Sequence, residues 1–152
     1  MLSCVDLGGR RIIKKIFFFK QKTAYEISAS VSAFLLNRSS DLQVNLVLIG
    51  REFANDGASF TLTSGVLSED PIRHGSSASM VNAALDGFVR GAAVELPRGL
   101  RINSVSPTVL VESLPAYGPF FRGFKAVPAA EVALAYAKSA EGRQTGQVYK
   151  VL

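Results

Sequence analysis

The stretch GASFTLTSGVLSEDPIRHGSSASMVNAALDGFVRGAAVELPRGLRINSVSPTVL, residues 57–110, decides the fold. Its first run, residues 58–63, places Phe60 and Leu62 on one face of a strand. Ser64 and Gly65 end that run, and Pro71 breaks the loop at 68–74. A long segment follows to about Leu96, with Val81, Leu85, Phe88, Ala92 and Leu96 at helical spacing. Ser76 or Ser77 is placed to cap this helix, and Pro97 and Gly99 stop it. Residues 100–105 alternate as a second strand, which Pro107 ends. A strand–loop–helix–strand run with a hydroxyl side chain at the first strand's end is the layout of a doubly wound sheet.

Two further features of that helix carry expectations. Asp86 and Arg90 are spaced as an exposed i,i+4 ion pair. Ala83, Gly87 and Gly91 form a ridge of small residues four apart, which lets another element approach closely. Packing onto the sheet and a subunit interface are both open readings of that ridge.

Working outward, residues 43–53 (QVNLVLIGREF) read as the end of a buried helix, closed by Asn55, Asp56 and Gly57. Downstream, residues 108–125 form a long segment rich in Pro, Gly and aromatic residues, including Tyr117, Phe120, Phe121 and Phe124. Segments of that length are often lids or binding loops. Residues 128–139 read as an Ala-rich helix and 146–151 as a closing strand. No repeat or linker interrupts residues 43–152, which form one α/β unit.

The chain has 152 residues and a formal net charge of +5. Residues 1–40 hold seven Lys or Arg against Asp6 and Glu26, while ten basic and ten acidic residues balance in the remainder. The body is therefore neutral, which argues against a dedicated nucleic-acid binder. Cys4 and His74 are the only residues of their types, so an intramolecular disulfide and a cysteine metal cluster are excluded. This cysteine usage fits a reducing, cytoplasmic setting. No apolar run approaches the ~20 residues that span a bilayer.

The first forty residues differ from the rest. Charged and aromatic residues come in blocks without a clear period. The string FFFKQKTAYEISA resembles translated sequencing-adapter DNA, and SSDL at 39–42 resembles the end of another such frame. Residues 1–42 are accordingly expected to be a non-native or disordered basic segment. A minor reading of residues 10–25 is a basic-aromatic patch that docks on an anionic membrane.

Ser64, the helix through Ala78 and Asn82, the strand motif Asn103-Ser104-Val105-Ser106-Pro107 and the closing Thr145-Gly146-Gln147-Val148 stand in a fixed order. In order and spacing they resemble short-chain dehydrogenases, across nearly all of residues 43–152. The resemblance implies the C-terminal portion of a doubly wound, Rossmann-like parallel sheet, with the N-terminal nucleotide-binding half missing. It also implies an NAD(P)-dependent oxidoreductase acting on a small carbonyl or alcohol substrate.

In that family a Tyr and a Lys four residues later act with the Ser. The Lys favours the phenolate by its charge, and the cofactor supplies the redox chemistry. Here Ser64 matches the Ser, but Ala78 holds the Tyr position and Asn82 the Lys position. Thr108 replaces the Gly that follows the strand proline. Asn82, Pro107 and Thr108 are the positions the resemblance assigns to cofactor contact. Asn45 sits too close to the strand for the family's catalytic Asn, and Asn37 is better spaced. Gly8 and Gly9 do not match the family's glycine-rich turn. The expectation is a weakly active or inactive chain with doubtful NAD(P) binding. Homo-oligomerisation through the helix at 76–96 accompanies that reading, and a non-enzymatic α/β dimerisation or scaffold module is the alternative to it.

Overall fold

The computed structural model describes the backbone of residues 29–152 and the side chains from residue 40 onward. The membrane reading of residues 10–25, Gly8-Gly9 and the side chain of Asn37 lie outside the described residues. Three strands, β1 (Ser59–Thr63), β2 (Arg101–Pro107) and β3 (Val148–Val151), form a wholly parallel sheet in the order β1-β2-β3. The helices are α1 (Ala29–Gly50), α2 (Ser76–Glu95), the one-turn α3 (Leu114–Tyr117) and α4 (Ala129–Glu141). This is a partial Rossmann-like α/β sheet. α1 runs without a break across residue 42, where the composition changes.

The strands alternate, so each face of the sheet has its own chemistry. Leu62 and Ile102 face α1 and α2, where they pack with Val47, Val81, Leu85 and Val89. Val105, Tyr149 and Val151 face α4 and close a second core with Val127 and Val132. Apart from Val105 and Pro107, the α4 face of β1 and β2 is polar, and its side chains are hydrogen-bonded. Thr61 shares a 2.7 Å hydrogen bond with Ser139, and Asn103 donates to Ser139 and to the Gln144 carbonyl. Arg101 donates to the carbonyls of Ser139, Ala140 and Gly142, which closes the C-terminal turn of α4. A cation at the negative end of a helix is favourable, and this one also satisfies carbonyls that lack helical partners.

Three expectations are corrected. Neither Ser76 nor Ser77 caps α2: Gly75 holds that place without a side-chain bond. A Cβ there would lie 2.7 Å from Ile72, so the tight approach of the 68–74 loop requires glycine. Asp86 is not in an exposed pair with Arg90. It is buried and accepts a 2.9 Å hydrogen bond from Ser104. A period of 3.6 turns Asp86 toward the sheet beside Leu85 and Val89, whereas Arg90 points to solvent. Residues 43–53 are buried on one side only. Gln43 and Val47 face inward, and Leu42, Leu46, Ile49 and Phe53 are exposed.

Candidate active site at the C-terminal ends of the strands

Parallel strands all end at the same edge of a sheet, and open α/β folds bind ligands there. β1, β2 and β3 all end at one such edge. Ser64 continues β1, since its N–H donates to the Val105 carbonyl at 3.0 Å. Thr108 continues β2 by donating to the Val151 carbonyl at 3.0 Å. Continued alternation puts both side chains on the α2 side of the sheet. A cavity of about 660 Å³ opens at this edge, walled by the turn after β1, the end of β2, the segment after α3 and the end of β3.

The hydroxyls at this edge are chemically exceptional. Ser64 and Thr108 are each only 7% exposed, and Ser64 Oγ and Thr108 Oγ1 have no hydrogen-bond partner among the described residues. Ser79 Oγ on α2 is likewise buried and unpartnered. A buried hydroxyl without a partner costs about 1–3 kcal/mol, so a water or a polar ligand group that reached these hydroxyls would be held there.

Asn82, mid-helix on α2, is only 7% exposed. It lies under the turn after β1: a Cβ at Gly65 would meet Asn82 Nδ2 at 3.0 Å and the Pro107 carbonyl at 3.7 Å. Gly65 thus lets the β1 turn settle onto α2, and brings Ser64, Asn82 and Pro107 together. Ala78 is half-buried against the α2 core. His74 is exposed in its loop, with φ 65°. Tyr117 is half-buried in α3 and does not line the cavity.

Several contributors were hidden in the sequence. Gln43 on α1 bonds the backbone of Thr63, the residue before Ser64, in both directions. The Tyr136 and Thr63 hydroxyls share a 2.5 Å hydrogen bond on the α4 side. Burial raises the Tyr136 phenol above its ordinary range, and the bond to Thr63 opposes that in part. A polar residue at 43, one turn before the buried Val47, is the one sequence signal that marks Gln43 as special.

The unpartnered hydroxyls suit a small polar group at the strand ends. Among the described residues, however, no glycine-rich strand–turn–helix precedes β1 to cradle a pyrophosphate. Asn82 also brings no charge to the position where the family carries a Lys. The described residues therefore do not fit a whole dinucleotide, and no reaction step is routed through one. They also hold no cluster of three or more His, Cys, Asp or Glu for a metal, and no helix long and apolar enough to cross a membrane.

No family model and no curated protein sequence matches the chain. Solved structures do. The protein lin1944 from Listeria innocua is 55% identical, with a TM-score of 0.71, over 72% of this chain and 55% of that one. A small-chain dehydrogenase is 26% identical, with a TM-score of 0.64, over 81% of this chain and 56% of its own. Another, solved in complex with NADPH, is 25% identical, with a TM-score of 0.62, over 72% and 56%. The chain thus spans a little over half the length of the structures it matches. The partial parallel sheet and these likenesses together support a fragment of the short-chain dehydrogenase/reductase family.

Proposed function

We propose that this chain is the substrate-side portion of a divergent NAD(P)-dependent oxidoreductase. On this reading it keeps a site for a small carbonyl or alcohol and has lost its acid–base pair. The observation that carries the reading is the buried, unpartnered Ser64 hydroxyl at the end of β1, beside α2 with Ala78 and Asn82. Ser64 can donate a hydrogen bond to a carbonyl oxygen and so orient it. Thr108, on the neighbouring strand, offers a second hydroxyl.

A methyl group at 78 has no proton to transfer. Asn82 is neutral and cannot stabilise a phenolate or hold a proton in reserve. Orientation remains in this site and proton transfer is gone. NADPH in a similar solved structure supports NAD(P) as the cofactor of the longer relatives. This chain alone binds it weakly or not at all. The cytoplasm is the compartment this reading favours.

The test is to incubate the chain with NADPH and a panel of aliphatic and aromatic ketones. Absorbance at the reduced nicotinamide band is expected to stay constant. Acetophenone is expected to shift the Ser64 and Thr108 amide resonances, and Ser64→Ala is expected to remove the shift. Robust turnover that survives Ser64→Ala overturns the reading.

A second reading is a dimerisation or scaffold module built on α2. Ala83, Gly87 and Gly91 are exposed, and a Cβ at either glycine would meet nothing within 4 Å. Met80 and Val94 on the same helix are also exposed. Gly87→Leu should then separate a dimer in sedimentation velocity, and an unchanged profile rejects the reading.

A further inference from the structure

The cavity at the strand ends has a charged rim whose layout the carbonyl chemistry does not explain. Lys150 on β3 and Glu69 after β1 form a 2.6 Å ion pair. β1 and β3 lie on opposite sides of β2, so this pair reaches across the end of β2. Beneath it are Ser106 and Thr108, which also line the cavity. Arg122 and Lys125 line it from the segment after α3. Arg122 has no carboxylate partner among the described residues, whereas Lys125 donates at 3.3 Å to an oxygen of Leu152, the last residue of the chain, which also lines the cavity. Three cations from two separate segments thus face Glu69, Asp70 and the Leu152 terminus; Glu69 and Leu152 are engaged by Lys150 and Lys125, and Arg122 is left without an anionic partner among the described residues. Val66 and Phe124 add apolar wall.

We infer that this cavity selects a substrate with an anionic group on an otherwise apolar body. Lys150 leaves Glu69 for the incoming anion, Arg122 and Lys125 complete its surroundings, and Thr108 Oγ1 donates to the bound molecule from below. The inference rests on the proposed ligand site at the strand ends, which this cavity shares through Thr108 while Ser64 does not line it, and adds the charge of the ligand. Glu69 acts as an internal competitor: its carboxylate occupies the cation that the ligand's anionic group requires. An exposed ion pair of this kind is weak enough to exchange at ordinary ligand concentrations.

The test uses benzoate and its neutral counterpart benzamide, titrated against the full chain and followed by amide chemical shifts. Benzoate is expected to bind and benzamide to bind more weakly. Glu69→Gln removes the competitor and should tighten benzoate by roughly threefold. Lys150→Met should weaken benzoate by a similar factor and leave benzamide unchanged. Both side chains are about half exposed, so neither substitution threatens folding. Added NaCl should weaken benzoate only. Equal binding of the two probes, with no response to either substitution, overturns the charge inference and leaves the cavity as the ligand site. No binding of either probe at the shifted residues overturns both.

Discussion

The side-chain amide of Gln43 pairs with the backbone of Thr63 as a neighbouring strand would. Gln43 Oε1 accepts from the Thr63 N–H at 2.9 Å, and Gln43 Nε2 donates to the Thr63 carbonyl at 3.2 Å. β1 is an edge strand of the described sheet, so one of its sides has no ladder partner. Free edges expose N–H and C=O groups that must be satisfied in some way. One helical side chain does this at the last residue before Ser64, and so fixes the place where the candidate site begins.

Gln43→Leu should therefore destabilise the fold by about 1–3 kcal/mol, because two backbone groups lose their partner in a largely buried place. Gln43→Glu tests geometry against volume. Its ionised carboxylate can accept from the Thr63 N–H but cannot donate to the carbonyl. Urea denaturation monitored by circular dichroism measures both, and an unchanged midpoint for Gln43→Leu contradicts the role.

Asp86 and Ser104 give a second prediction. Removing the Ser104 hydroxyl leaves a buried carboxylate without its donor, and should cost about 1.5–3 kcal/mol. Asp86→Asn keeps an acceptor and should cost less. Replacing both partners with apolar residues of similar shape should cost less than the sum of the two single changes. A double-mutant cycle in urea reads the coupling. Additivity of the two changes would show that the bond contributes nothing to stability.

Tyr136 predicts a pH dependence with a definite sign. Its phenol is raised in the folded state, chiefly by burial. The unfolded chain releases this proton near the ordinary tyrosine value, so the stabilisation is complete below about pH 10. It is lost as pH rises through the higher folded value. Tyr136→Phe should flatten that alkaline loss, and should also lower stability at neutral pH by about 0.5–1.5 kcal/mol through the missing bond to Thr63. Denaturant midpoints between pH 8 and 11 for both proteins decide it. Parallel curves contradict the assignment.

Exposed surface leads to a fourth prediction. Leu42, Leu46, Ile49 and Phe53 are all exposed at helical spacing, next to the free edge of β1. Apolar stripes and unpaired edges of this kind favour association. The 152-residue chain is expected to self-associate or to have poor solubility at micromolar concentration. Leu46→Lys with Ile49→Lys should raise the soluble, lower-mass fraction in sedimentation. A wild-type monomer with cooperative unfolding contradicts the prediction.

The sequence by itself determined the order of the strands and long helices from residue 58 to the end, but not the one-turn α3, which lies inside the segment 108–125 read as a loop. Alternation in residues 58–63 and 100–105, the helical spacing from Val81 to Leu96 and the breakers Pro97, Gly99 and Pro107 are local signals, and local geometry obeys them. It also singled out Ser64, Ala78, Asn82 and Thr108 as candidates, by their register with neighbouring motifs. Only the tertiary structure decided what surrounds them. Asp86 has the spacing of a surface charge, and becomes a buried acceptor only because α2 rests on β2 at Ser104. Asn82 has the look of a solvated residue until the glycine turn at 65 folds over it. Gln43 and Thr63 are twenty residues apart and Glu69 and Lys150 eighty-one. Periodicity reports which face of its own element a residue occupies. Which group lies opposite depends on how helices and strands from distant parts of the chain are laid against each other, and no local pattern encodes that.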